Sequence, residues 1–397
     1  MFFLDKPYIS EFLKETIENN TIPVVGTTVT KELELYSNTH IMSENDAIET
    51  LKKTKNPILY TNSENAIAWI VKHLAFSELP QKIELFKDKV KFRELTKKLY
   101  PDFYFKEIHL EDLKDLQINN IPLPFIIKPS VGFFSMGVYK VSSIKEWGNT
   151  VESILAEIEQ VKGLYPDAVL NTRSFIIEQI INGEEFAIDA YFNASGEAVI
   201  LGIFKHAFSS DADVSDRVYL SSKDIIETNL EEFTAFLGQI GKLAKVKNFP
   251  VHVEVRRDKD GALLPIEVNP MRFGGWCTTA DTTYHAYGFN PYLYYYSQKK
   301  PNWHEALKGK EGKLFSIIVL DNSTGVDTKN IRLFNYEKLL SQFEKPLELR
   351  KIDYKQYPVF GFLFTETRED NYSELKDILD SDLNEFIEIS TTSRALN

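Results

Sequence analysis

The spacing of apolar and polar positions changes character along the chain. Over residues 1–85, the short apolar runs "IPVVGT" and "PILYT" alternate with helix-spaced stretches, "SENDAIETLKK" and "NSENAIAWIVKHLA". Ser43 stands at the N-cap of the first helix, and Asn62 or Ser63 at that of the second. This βαβα rhythm predicts a small parallel sheet. From residue 86 the texture differs. "LFKDKVKFRELTKKLY" reads as one basic helix, and "PFIIKPSVGFFSMGVYKV" as strand, glycine-containing loop and strand. "EWGNTVESILAEIEQVKG" is helical, with Ile154, Leu155, Ile158 and Val161 on one face. "RSFIIEQIINGEEFAIDAYF" and "AVILGIFKHAF" read as strands, joined at the turn-rich "NASG". "LEEFTAFLGQIGKLAKV" is an amphipathic helix. Residues 301–397 return to mixed α/β with "KLFSIIVLD", "YEKLLSQF", "YPVFGFLFTE" and "SELKDILDSDL". The expected division is therefore 1–85, 86–300 and 301–397.

The richest stretch is "VHVEVRRDKDGALLPIEVNPMRFGG", residues 251–275. "DKDG" is a hairpin signal between two alternating strands. Val251, Val253 and Val255 share one face, and His252, Glu254 and Arg256 the other. On the second strand Leu264, Ile266 and Val268 form the apolar face, opposite Glu267 and Asn269. A loop of two or four residues through Asp258–Gly261 makes Glu254 and Glu267 direct or diagonal neighbours. Carboxylates that close repel unless a proton or a cation intervenes. Two carboxylates and an amide carbonyl suit Mg²⁺, with water and phosphate oxygens completing the shell. A solvated acidic hairpin is the competing reading.

Composition narrows the field. A chain of 397 residues predicts two or three domains. The formal charge of −12 argues against nucleic acid as the main partner, since that footprint is normally a basic stripe. Cys277 is the one cysteine, so an internal disulfide is excluded, in keeping with a reducing compartment. The opening "MFFLDKPYIS" lacks the pattern of a signal peptide. No run approaches the roughly 18 apolar residues of a membrane span. The expected location is the cytoplasm, without membrane association.

Two further stretches carry candidate chemistry. In "IIKPSVGFFSMGV", Lys128 ends an apolar strand and Ser130, Gly132, Ser135 and Gly137 follow. Such a loop can offer N–H groups to phosphate oxygens beside the lysine charge. It matches neither the P-loop nor the dinucleotide fingerprint, and a surface lysine before a hairpin is the plainer reading. In "IIEQIINGEEF", an apolar strand ends at Glu178 and leads through Gln179, Ile180 and Ile181 to Gly183. Glu185 and Asp189 share a strand face beyond it. A flat base against the isoleucines and a hairpin with exposed acids fit this stretch equally.

Taken in chain order, these stretches resemble the ATP-grasp superfamily of carboxylate–amine and carboxylate–thiol ligases. The resemblance covers residues 86–300 and, more loosely, 1–85. It implies an α/β ATP-grasp fold with an N-terminal, doubly wound-like pre-ATP-grasp domain and a small C-terminal α/β region. It implies that Lys89 and Lys128 touch ATP phosphates and that the Ser130–Gly137 loop, with Gly132 and Ser135, closes over them. Glu178 and the Gln179–Ile181 backbone would hold adenine, and Glu185 the ribose. Glu254, Glu267 and Asn269 would carry Mg²⁺, or Mn²⁺ in its place. The spacing of these three is similar to that in D-alanine–D-alanine ligase. "NPMRFGG" carries one residue, Met271, more than the family's pattern before Arg272.

The implied reaction is ATP-dependent. A carboxylate is activated as an acyl phosphate and joined to an amine, releasing ADP and phosphate, with Arg272 and Lys128 as the catalytic charges. Small-molecule carboxylates and amines, of the amino-acid or peptide class, would be the substrates. A non-catalytic nucleotide-binding protein and a small-molecule kinase are the alternatives. "FKHAFSSDADVSDRVYL" is a candidate lid, with Lys205, His206 and Arg217 as phosphate or substrate contacts. The aromatic stretch after residue 275 fits core packing or a pocket lining. Cys277 reads as a small buried hydrophobe. The last residues, from about 301, are open between lid, homodimer contact and partner docking.

Overall fold

The computed structural model describes residues 1–132, 137–161, 173–209 and 215–390. It divides into two compact units. One comprises Met1–Gly183, Ala190–Val199 and Thr234–Cys277; the other comprises Glu184–Asp189, Ile200–Phe233 and Thr278–Asn397.

The first unit opens with the expected parallel sheet. Its strands run Ile41–Ser43, Val24–Gly26, Phe2–Phe3 and Tyr60–Thr61 in spatial order. Phe2, Phe3, Val24, Val25 and Tyr60 are fully buried, as continuous apolar runs must be when both faces of a parallel sheet are covered. Ser43 caps the helix Glu44–Lys53 by accepting from the Asp46 amide. Ser63 caps a 3₁₀ turn, Glu64–Ala66, which leads into the helix Ile67–His73.

The single basic helix expected over this next region is two helices, Leu79–Lys87 and Lys89–Thr96. Asp88 breaks it, because its carboxylate accepts from the amides of Val90 and Lys91 at 2.9 and 3.2 Å. An aspartate that caps cannot also continue the preceding helix. The consequence is local but important: Lys89 becomes the first residue of a new helix.

An antiparallel sheet follows, ordered Phe105–His109, Ser174–Gln179, Phe125–Pro129 and Tyr139–Val141. The helix Trp147–Val161 buries Ile154 and Ile158 against it. Lys128 and Glu178 sit on neighbouring strands of this sheet. The hairpin Phe249–Arg257 with Leu263–Pro270 completes the unit.

In the second unit, residues 205–207 pair with Val218–Ser222, and the order continues through Lys313–Asp321, Val359–Arg368 and Pro346–Lys351, all antiparallel. The helices Tyr336–Leu340 and Ser373–Asp380 contribute Leu339, Leu375 and Ile378 to its apolar core. The aromatic-rich stretch forms the helices Thr278–Tyr287 and Pro291–Tyr296, with Tyr287, Tyr292 and Tyr295 buried. These three are core, whereas Tyr284 is exposed and Trp276, Tyr294 and Tyr296 are half-buried. Cys277 is buried too, at the end of the first unit. Among the described residues, no helix is long and apolar enough to cross a membrane.

Candidate functional site

The hairpin pairs His252 with Asn269 and Glu254 with Glu267, each directly across. The three valines at 251, 253 and 255 are buried on the other face. The expected pairing of the acids is thus present, but it arises differently. Next to the turn, Arg257 pairs with Leu263, and Asp258 receives a bond from Gly261 and donates to Ala262. That register alone would place Glu254 and Glu267 on opposite faces. Opposite Glu254 and Val255, a bulge adds Ile266 between Pro265 and Glu267 and restores the pairing. The expected apolar trio is corrected accordingly: Leu263 and Val268 are buried, whereas Leu264 and Ile266 are half-buried, because the bulge reverses the alternation between them.

Lysines reach this face from the neighbouring helix and sheet. Lys89 Nζ lies 3.3 Å from Glu267 Oε2. Its backbone amide donates to the Ser130 carbonyl at 2.8 Å, which ties the helix start to the loop after Lys128. Asn269 Nδ2 donates to Glu267 Oε1 at 3.1 Å, leaving its carbonyl oxygen as the atom suited to a cation. Burial by itself would raise the pKa of Glu267, but the ammonium groups of Lys89 and Lys128 outweigh it and hold the carboxyl below its usual range.

Lys128 is buried and its Nζ contacts Glu178 Oε1 at 2.5 Å. Burial pulls its pKa down, against the pull of Glu178 upward. The other carboxylate oxygen of Glu178 accepts from Arg93 Nε at 2.8 Å. The Glu178 side chain, expected at adenine, is therefore engaged within a buried Arg93–Glu178–Lys128 triad. The Gln179 backbone N–H donates to the Tyr104 carbonyl, and its Oε1 accepts from the Tyr104 amide. The Ile181 carbonyl accepts from Arg256 Nη1 at 2.5 Å. Beyond it, Gly183 has φ +131°, and a Cβ there would lie 1.9 Å from the Arg257 carbonyl oxygen. Only glycine permits this approach of the segment to the hairpin.

Ser130 Oγ is fully buried and has no hydrogen-bond partner among the described residues. Gly132 is half-buried. Gly137 adopts φ +69° and its amide donates to Glu157 Oε1 at 3.1 Å. Ser135 lies outside the described residues.

Arg272 has a definite aim. Met271 takes a left-handed conformation, φ 70°, with its amide on the Pro250 carbonyl and its own carbonyl accepting from the Thr61 amide at 2.8 Å. Arg272 Nη2 then reaches Glu64 Oε1 at 2.6 Å. The other oxygen of Glu64 meets Lys87. For Glu64, burial would raise the pKa, but Arg272 and Lys87 bring it down to about 2. For Arg272, burial opposes the charge, and Glu64, Glu267 and Glu254 more than compensate. Glu64 and Arg93 went unnoticed in the sequence. Each is separated from its partner by a long stretch of chain, and the only signal was the turn position of one and the helix position of the other.

Glu185 belongs to the second unit, where His206 Nδ1 lies 3.2 Å from its Oε1. Asp189, on the same strand face, is bonded by Thr279. Lys205 pairs with Glu184, and His206 also contacts the Ser215 carbonyl at 2.8 Å. Arg217, a candidate phosphate contact, is instead a buried structural residue. Its guanidinium binds Asp321, Ser323 Oγ and the Ser381 carbonyl. Residues 210–214 of the candidate lid lie outside the described residues.

The donor set fits a hard divalent cation, since two carboxylates and an amide share one face beside two lysines. The orphaned Ser130 hydroxyl and the clustered cations likewise fit a polyphosphate.

The buried acids make a pH prediction. Glu178, like Glu64, is held at about 2 against burial, in its case by Lys128 and Arg93. Both folded values lie below the ordinary 4.5. Their contribution to stability is thus fully present above about pH 4.5 and is lost as pH falls through about 2. Denaturation measured across that window should show a shallower loss in Glu64→Gln than in the wild type. An equal slope would mean that Glu64 does not titrate with unfolding.

Residues 121–280 match the family model of the ATP-grasp domain. No curated protein sequence matches the chain. Among solved structures, the L-amino acid ligase from Bacillus licheniformis superposes with a TM-score of 0.67 at 18% identity, covering 98% of each chain. The N5-carboxyaminoimidazole ribonucleotide synthetase from Thermotoga maritima gives 0.63 at 14% identity, again over 98% of each chain. A biotin carboxylase from Campylobacter jejuni gives 0.61 at 13% identity, covering 98% of this chain and 92% of that one. At such identities the likeness is one of fold. With its parallel N-terminal sheet, antiparallel lysine-bearing sheet and acid-bearing hairpin, the chain has an ATP-grasp fold, and its residues 121–280 match the ATP-grasp domain.

Proposed function

We propose that the protein is an ATP- and Mg²⁺-dependent ligase that joins a carboxylate to an amine, with amino acids or short peptides as the substrate class. The carrying observation is the hairpin face on which Glu254, Glu267 and Asn269 meet, with Lys89 at 3.3 Å from Glu267. A carboxylate is a poor acyl donor because oxide is its leaving group. Transfer of the γ-phosphoryl group onto a carboxylate oxygen gives an acyl phosphate and ADP. The amine then attacks the carbonyl carbon, a C–N bond forms, the C–O bond to phosphate breaks, and the amine proton is released. Bound at Glu254, Glu267 and Asn269, Mg²⁺ would supply charge neutralisation at the phosphates. Lys89 and Lys128 hold phosphate oxygens, and Arg272, oriented by Glu64, adds positive charge where the transferring group becomes more anionic. No nucleophilic side chain is required. The likeness to the L-amino acid ligase supports the substrate class.

The test is ADP release from a panel of amino-acid pairs, with hydroxylamine replacing the amine in parallel. A hydroxamate is expected, because only an acyl phosphate yields one. ADP release with a phosphorylated alcohol and no hydroxamate would mark a kinase. Stabilisation by nucleotide without any turnover would mark a regulatory protein.

A further inference from the structure

The juxtaposition of Glu254 and Glu267 depends on one extra residue. Outward from the turn, Arg257, Arg256 and Val255 pair with Leu263, Leu264 and Pro265. Continued unchanged, that register would set Glu254 against Ile266 and Glu267 against Val253, on opposite faces. The bulge after Pro265 brings the two acids together. Pro265 has no N–H to give the ladder, so the bulge needs support from elsewhere.

Arg93 supplies it. Arg93 is 3% exposed, and its Nη1 donates to the Pro265 carbonyl at 2.6 Å. Its Nε donates to Glu178 at 2.8 Å, and its guanidinium lies 4.4 Å from the centroid of the Phe103 ring. Its Nη2 is buried without a hydrogen-bond partner among the described residues. Arg93 follows Lys89 by one helical turn, so one helix face presents Lys89 to Glu267 and Arg93 to the bulge. The planar fork of an arginine can hold two acceptors in fixed directions, which an ammonium cannot.

We propose that Arg93 is the positioning residue of the cation-binding face: it clamps the Pro265 bulge to Glu178, and thereby keeps Glu254 and Glu267 on the same side of the hairpin and in register with Lys128. The role in cation binding rests on the ligase reading above. The role in hairpin register does not.

The experiment uses Arg93→Lys, which retains a positive charge for Glu178, and Arg93→Met. Amide hydrogen exchange of the nucleotide-free protein should be about tenfold faster or more at residues 264–269 in Arg93→Lys, with the parallel sheet of residues 2–61 unchanged. Mn²⁺ binding in the presence of ADP, followed by electron paramagnetic resonance, should weaken about tenfold, while ADP affinity in chelator falls less than about threefold. Unchanged exchange in the hairpin, or acceleration spread evenly over the unit, overturns the proposal. So does equal weakening of ADP with and without Mn²⁺. If Arg93→Met does not fold, Arg93→Lys carries the test. A wild-type protein that binds neither ADP nor Mn²⁺ removes the ligase reading, and the exchange measurement still decides the clamp.

Discussion

Glu267→Gln is expected to leave the fold in place and to lower turnover by about 100-fold or more, since even residues that merely support metal ligands cost 10–100-fold. Glutamine keeps the length and the strand register. It also keeps an oxygen for Asn269 Nδ2, which donates to Glu267 Oε1 at 3.1 Å. What it loses is the negative charge opposite Glu254 and beside Lys89. If the face holds a divalent cation, the missing charge weakens it where phosphoryl charge is neutralised. If the hairpin is only a polar surface, the change exchanges repulsion from Glu254 for loss of the Lys89 contact, and turnover should be intact. Melting temperature measured beside ADP release separates the two. Full turnover in Glu267→Gln would remove the cation from this face, and with it most of the argument for a ligase.

Lys128→Met is expected to weaken both nucleotide binding and the fold, and the two losses are separable. A charge-assisted phosphate contact contributes about 1.5–3 kcal/mol, equivalent to roughly 10–150-fold in affinity. Methionine fills most of the buried volume, so the packing penalty is small. The charge penalty remains, because Glu178 loses its contact with Lys128 Nζ and, among the described residues, keeps Arg93. Breaking one side of a buried ion pair typically costs about 3–5 kcal/mol, and the surviving arginine should reduce this. The expected result is a lower melting temperature without ligand and a smaller upward shift on adding ATP with Mg²⁺. Equal ATP-induced shifts in variant and wild type would take Lys128 out of the nucleotide site and leave it a structural partner of Glu178.

Much of this architecture is local, and so was legible. The parallel N-terminal sheet follows from apolar runs alternating with capped helices, and the Ser43 cap is where its side chain requires it to be. On the hairpin, Val251, Val253 and Val255 turn inward and Glu254 outward because strands alternate. The pairing of Glu254 with Glu267 was also expected, but two one-residue differences, in the turn and in the bulge, cancelled to produce it. Asp88 reads as part of a helix in sequence, because helix spacing gives no sign of which carboxylate will cap.

The partners of the charged residues were not legible. Arg93 meets Glu178 across 85 positions and Pro265 across 172, and Arg272 meets Glu64 across 208. No periodicity encodes such pairs, and a surface cation and a buried one look alike in sequence. Arg217 illustrates the converse: in a polar stretch it resembled a ligand contact, and the fold buries it against Asp321. Alternation and capping are properties of neighbouring residues, so the sequence alone determined the elements and the faces they present. Burial of charge is a property of what the chain brings against each face, and only the tertiary structure decided which cations serve the acids of the hairpin and which hold the fold around them.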